Sequence, residues 1–254
     1  MTAAQKGRRP LGVALLSRAS ALLRRWRERG IPTTAEFSTT LRRLGSEYGG
    51  WTVCSTSLYA GECAYCIGVG EDVSFDVALA SEFGMRVHAF DPTPRSITFV
   101  HTLGRSPGFA FHPVAIGAHS GMVAFYPPDD PNFVSHTTIP TVFLDRSGIE
   151  VPMRTLAEMM KILGHVQLAL VKLNIEGGEY DVLDNMLSTP LRPTQILVEF
   201  HHRLVRDGAA KTRNIIQRLR AADYRIAYVE GVTYTFIAAS AVNESSKERA
   251  AAGG

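Results

Sequence analysis

The stretch Ala64-Tyr65-Cys66-Ile67-Gly68-Val69-Gly70-Glu71-Asp72-Val73-Ser74-Phe75-Asp76 narrows the fold more than any other part of the chain. A short apolar run stops at two glycines one residue apart, and an amphipathic helix pattern follows at once, so the segment reads as strand, tight turn, helix. Glycine at 68 and 70 lets the backbone turn sharply and approach a ligand with no Cβ in the way. This is how a nucleotide-binding α/β domain begins.

Residues 33–48 read as a helix with Leu41 and Leu44 on its apolar side, closed by Gly49-Gly50. Residues 51–58 read as a short strand pair or an entry loop, with Trp51 and Tyr59 serving the core or lining a ligand mouth. Helix 73–83 stops at Gly84, and residues 86–91 form a second strand ending in an acid, Asp91, about 20 residues beyond the glycines. A helix at 95–103 and a third strand at 109–117 follow, the strand running into a small-residue turn. Residues 121–126 and 138–144 read as a hairpin around a Pro-rich loop, and 155–163 as an amphipathic helix. Residues 168–173 are a buried parallel strand whose tip presents Lys172, Asn174 and Glu176, alternate residues on one side. Helix 180–187, strand 195–202, helix 211–222 and an antiparallel pair, 224–230 with 234–239, complete the domain.

The 254 residues are expected to divide into a basic segment (1–30), one α/β domain (31–240) and a disordered tail (241–254). Residues 1–10 are expected to lack order, and 11–29 to form an amphipathic helix that packs its Leu/Trp stripe on the domain. Attachment to an anionic membrane surface or an acidic partner is the less favoured use of that stripe. Eight basic residues against Glu28 give the first 30 residues a charge of +7, which leaves the remainder at −4 within the formal total of +3. The domain itself is mildly acidic, which gives no ground for a nucleic-acid-binding face. No apolar run reaches the roughly 18 residues of a membrane span. Cys54, Cys63 and Cys66 are too few for a four-thiolate zinc site and do not form a secreted disulfide framework, so buried thiols in a reducing cytoplasm are expected. Acid and histidine spacings indicate no metal.

Three strand tips carry polar clusters: residues 68–72, Asp91, and Asn174 with Glu176, joined by Glu199 and His201. They should meet at the carboxyl edge of the sheet, where doubly wound folds bind ligands. A dinucleotide site needs a third glycine at position 73, where Val73 stands, and Glu71-Asp72 would put negative charge where a pyrophosphate must lie. A cationic ligand without phosphate fits better, which points to S-adenosylmethionine. Asp91 is then placed to accept the ribose hydroxyls, and Gly68, Val69, Gly70, Glu71, Asp72, Ala115 and Asn174 complete the expected cofactor contacts.

Residues 64–76, Phe90-Asp91-Pro92-Thr93-Pro94, Val151-Pro152-Met153-Arg154-Thr155-Leu156, Lys172-Leu173-Asn174-Ile175-Glu176-Gly177-Gly178-Glu179 and Val198-Glu199-Phe200-His201-His202 together resemble the FkbM family of S-adenosylmethionine-dependent methyltransferases. The Lys-x-Asn-Ile-Glu-Gly-Gly-Glu block is the most specific part. The resemblance implies a class I methyltransferase fold: a Rossmann-like three-layer α/β sandwich with a mostly parallel sheet and an antiparallel C-terminal hairpin. It also implies O-methylation of a hydroxyl on a small molecule such as a sugar or polyketide. The chain departs from the family pattern at Cys66 and Asn174, where the family carries acids.

Methyl transfer is an in-line displacement that depends on positioning the acceptor oxygen and on a base for its proton. His201 is the first candidate base, with Glu176 and Glu199 as rivals, and Lys172 joins the catalytic set unless it pairs with a neighbouring acid. Phe133, Ser135 and His136, in the Pro-rich loop, are the expected acceptor contacts. Two alternatives stay open: an N- or carboxyl-methyltransferase acting on a peptide, and a catalytically silent methyltransferase-like binding domain.

Overall fold

The computed structural model describes residues 28–126 and 148–242. Residues 33 onward belong to one compact unit, distinct from residues 1–32. The elements of this unit begin with strands β1 (Leu41–Leu44), β2 (Trp51–Cys54) and β3 (Cys63–Ile67), then helix α1 (Ser74–Phe83), β4 (Arg86–Phe90), α2 (Pro94–Leu103) and β5 (Phe109–His112). Three short strands follow, β6 (Ala115–Ile116), β7 (Gly121–Phe125) and β8 (Ile149–Arg154). The chain closes with α3 (Leu156–Leu163), β9 (Leu170–Leu173), α4 (Glu179–Leu187), β10 (Gln195–Glu199), α5 (Gly208–Ala221), β11 (Tyr224–Glu230) and β12 (Thr233–Ala238).

Among the described residues the main sheet has seven strands in the order β11-β12-β10-β9-β3-β4-β5, and β12 runs against its neighbours. This is the mostly parallel sheet with an antiparallel C-terminal hairpin expected from the sequence. Strands β3 and β9 are buried along their whole length, so their continuous apolar runs face packed layers on both sides. The register pairs Ala64 with Leu170 and Cys66 with Lys172, placing these four side chains on one face. That face packs Phe75 and Leu79 of α1 with Val87 and Leu197. On the opposite face Tyr180 of α4 stacks on Phe200, which meets Tyr234 edge-on. From β3 the chain winds outward to β4 and β5, then returns to β9 and β10 on the other side. The carboxyl ends of β3 and β9 therefore flank the switch point where such sheets open a crevice.

One expectation needs correction. Residues 33–48 form no helix: Leu41–Leu44 pairs antiparallel with Trp51–Cys54, and Gly49-Gly50 belongs to the turn between them. Tertiary pairing wins over the local pattern, because Glu36 is tied to β11 by two hydrogen bonds, Glu36 N to Ile226 O and Ile226 N to Glu36 Oε2. Strand β7 pairs with β8; residues 138–144, its expected hairpin partner, lie outside the described residues. Pro152 disguised β8, since proline inside an apolar run argues against a strand. The helix expected at 11–29, the Pro-rich loop and the tail beyond residue 242 also fall outside the described residues, apart from a turn at 28–30. No helix among the described residues is long and apolar enough to cross a membrane.

One buried side chain docks the β1–β2 hairpin on the sheet. The Gln195 amide accepts from Cys54 N at 2.9 Å and donates to Cys54 O at 2.8 Å and Ser57 Oγ at 2.9 Å. Leucine at this fully buried position would strip partners from the Cys54 backbone groups, each costing about 1–3 kcal/mol. The variant Gln195→Leu should therefore lose about 2–4 kcal/mol in urea unfolding.

Candidate active site

The glycine turn after β3 is fixed by its neighbours. Gly68 N donates to Phe90 O at 3.0 Å, and Asp91 Oδ2 accepts from Val69 N at 2.9 Å and Gly70 N at 3.0 Å. Asp91 Oδ1 accepts from Thr93 N at 2.9 Å and Thr93 Oγ1 at 2.7 Å, so each oxygen already receives two hydrogen bonds. The side chain expected to hold a ribose thus also braces the turn. Glycine is required at 68 because φ is +85° and a Cβ there would lie 1.9 Å from Asn174 O. On the far side the buried ammonium of Lys172 donates to Gly68 O and lies over the Trp51 ring, 5.3 Å from its centroid.

The β1–β2 turn latches onto the start of α1. Ser46 N donates to Ser74 Oγ at 2.7 Å, Ser46 Oγ donates to Asp72 Oδ2 at 2.5 Å, and Asp72 Oδ1 accepts from Ser74 N at 2.8 Å. Partial burial works against the Asp72 charge, but the hydrogen bonds from Ser46 and Ser74 outweigh it and hold its carboxyl below the usual 3.8. Glu71 pairs with Arg95 at 2.6 Å. Asp76, directly behind the turn, meets the opposite environment: burial pushes its carboxyl up, opposed by the field of Lys172. Cys66, where the family carries an acid, is a fully buried thiol pushed up by burial and by Asp76.

A cleft of about 660 Å³ opens at the switch point. The structure brings all eight expected cofactor positions to its wall, together with Lys172, Glu176 and Glu199. Ala115 reaches it from β6, which pairs with β8 and places Met153 in the same wall. Sequence reasoning missed Tyr48, Asp181 and Tyr228, which also border the cleft. Tyr48 was concealed by the helix reading of its segment. Phe133, Ser135 and His136 lie outside the described residues.

His201 stands just behind the cleft wall, with its side chain 12% exposed. Its Nε2 faces Glu176 Oε2 at 3.6 Å and Glu199 Oε1 at 3.8 Å, and its Nδ1 lies 3.5 Å from Glu179 Oε2. The Glu179 carboxylate has no exposed surface and accepts from His201 N at 2.7 Å and Gly177 N at 2.8 Å. It is a functional candidate that the sequence reading carries only as the last residue of the Lys-x-Asn-Ile-Glu-Gly-Gly-Glu block, without a role. Burial alone would lower the His201 pKa, but the Glu179 contact and the fields of Glu176, Glu179 and Glu199 raise it above 6.5.

Over residues 62–226, well over half of the chain, the sequence matches the model of the Methyltransferase FkbM domain. The chain belongs to this family. No curated protein sequence matches it. Among solved structures, the fibrillarin pre-rRNA processing protein of Methanococcus jannaschii superposes with a TM-score of 0.42 at 8% identity, covering 71% of this chain and 68% of that one. A ribosomal protein L11 methylase from Lactobacillus delbrueckii subsp. bulgaricus gives 0.38 at 12% identity, over 72% of this chain and 71% of that one. A precorrin-6Y C5,15-methyltransferase from Geobacter metallireducens gives 0.38 at 11%, over 72% and 85%. Likenesses this remote carry no weight for the site, which rests on its own geometry and on the FkbM match.

The raised pKa of His201 has a measurable consequence for stability. Since the folded value lies above the unfolded 6.5, the stabilisation is complete below 6.5 and disappears as pH rises through the folded value. Urea midpoints of the parent and of His201→Gln should therefore differ most below pH 6.5 and converge in alkali. A gap that widens with pH would contradict this.

Proposed function

We propose that this FkbM-family protein uses S-adenosylmethionine to methylate a hydroxyl oxygen of a small molecule. The observation that carries the reading is the cleft itself, which joins the braced glycine turn to an acid–histidine group on the opposite strand tips. Seven carboxylates border it (Glu71, Asp72, Asp91, Glu176, Asp181, Glu199 and Glu230) against Arg43 and Lys172, a field suited to a sulfonium cation and unsuited to a pyrophosphate. The turn after β3 would hold the cofactor, and Asp91 would receive its ribose hydroxyls. Calorimetry should detect S-adenosylmethionine binding to the parent and at least about tenfold weaker binding to Asp91→Asn, which loses a charge and an acceptor. Equal affinity of the two proteins would refute the ribose assignment.

Glu176 and Glu199, at the cleft wall, would orient the acceptor hydroxyl toward the methyl group that S-adenosylmethionine would supply. The hydroxyl oxygen would gain that methyl as the cofactor departs as its thioether, and the hydroxyl proton would pass to the group formed by these carboxylates and His201. Neutral His201 is the terminal base, and buried Glu179 orients the ring through Nδ1. Turnover should then rise with pH through the raised pKa of His201. Glu199→Gln removes one of the fields that raise it, so the rising limb should move to lower pH as the maximal rate falls by about 10- to 100-fold. A limb that stays in place would refute His201 as the base.

Mass spectrometry of candidate acceptors for the gain of one methyl group tests the reaction itself. Cys66 and Asn174 favour the silent-domain reading, which would be selected by cofactor binding without methyl transfer to any hydroxylated acceptor. Methyl transfer to nitrogen or a carboxylate would instead overturn the choice of acceptor atom.

A further inference from the structure

At the opposite edge of the sheet, Cys63, His88 and His165 each offer a ligand atom, and the three atoms lie within 4.8 Å of one another. From this geometry we propose that Cys63, His88 and His165 bind a borderline-soft divalent cation, Zn²⁺, at a site separate from the methyl-transfer cleft. Cys63 opens β3 five positions before Gly68, about 16 Å away at the usual strand rise of about 3.3 Å per residue. The site therefore takes no part in the transfer. No motif betrays it, because the ligands come from β3, β4 and the connection between α3 and β9, widely separated in sequence.

The donor set and its surroundings fit the ion. One thiolate and two imidazoles suit Zn²⁺, and tetrahedral Zn–S and Zn–N bonds of about 2.3 and 2.0–2.1 Å put sulfur and nitrogen about 3.5 Å apart. Cys63 Sγ lies 3.5 Å from His165 Nδ1 and 3.9 Å from His165 Nε2. Both rings are already anchored through one nitrogen, His165 Nδ1 on Tyr65 Oη at 2.8 Å and His88 Nδ1 on His112 Nε2 at 2.9 Å. With His165 bound through Nε2, Tyr65 becomes the outer partner that fixes the ligand's tautomer, and His112 does the same for His88. Burial pushes the Cys63 thiol up to about 11, with Arg86 opposing, so binding the ion releases the thiol proton to solvent. A cavity of about 220 Å³, bordered by Cys63, His165 and Arg86, gives access and room for a water as fourth ligand.

The test uses untagged full-length protein kept reduced without added thiols and titrated with Co²⁺ as a spectroscopic stand-in for Zn²⁺. One Co²⁺ per chain should bind with a thiolate-to-cobalt charge-transfer band, and Zn²⁺ should abolish the band by displacement. Cys63→Ser should lose the band and weaken binding by more than about 100-fold, and Tyr65→Phe should weaken it about tenfold. Cys54→Ser and Cys66→Ser should keep the band. If Cys63→Ser does not fold, His165→Gln, at a partly exposed position outside helix and strand, carries the same expected loss. Absence of a charge-transfer band in the parent, or its survival in Cys63→Ser or His165→Gln, would overturn the proposal.

Discussion

The site depends on a carboxylate that spans two strand tips. Asp91, just beyond β4, holds the amides of Val69 and Gly70 with one oxygen and Thr93 with the other. This fixes the turn after β3 and the entry to α2 in one stroke. From the other flank Lys172 secures the Gly68 carbonyl, and Asn174 N donates to Ile67 O at 3.0 Å. A loop with two glycines would otherwise lose much conformational entropy when a ligand arrives, so bracing it beforehand lowers the cost of binding.

The same acidic side chain serves different ends around this loop because its surroundings differ. Asp72 is stabilised as an anion by hydroxyl and amide donors, whereas Asp76, one helical turn further on, is buried with one oxygen lacking a partner and is driven toward its neutral form. Glu179 shows a third solution, a carboxylate with no exposed surface that receives two backbone N–H groups and sits beside an imidazole. Through these contacts it joins the loop after β9 to the tip of β10, two strands that pair in parallel at the centre of the sheet.

What could be read from sequence was what periodicity and turn chemistry encode locally. The buried runs of β3, β9 and β10 announced parallel strands, the glycines at 68 and 70 announced the turn, and Asp91 fell at the strand tip where it was sought. The segment from 33 to 48 misled because Leu41 and Leu44 are as compatible with a helical stripe as with a short strand, and the deciding bonds come from β11, far along the chain. Glu179 stood in the most specific block of the sequence, yet its role was hidden, because an acid at the start of a helix is ordinary and only the folded chain shows that it is buried beside His201. The histidine cluster beneath the sheet was invisible because register, not spacing, sets Tyr65 beside His88.

The β1–β2 hairpin lies before residue 62, where the FkbM match begins, yet its turn carries Tyr48, 89% exposed, to the cleft mouth. Its connection to the shared domain at that end runs through Ser46, Ser74 and Asp72, while Gln195 secures its base. The exposed rim of the cleft and its floor therefore come from different parts of the chain. Of the six residues between the two strands, Ser46 forms the latch and Gly45 and Gly49 pack against Phe75 and Asp72, which leaves exposed Glu47 and Tyr48 as the positions where the mouth can change shape while the turn after β3 keeps its contacts.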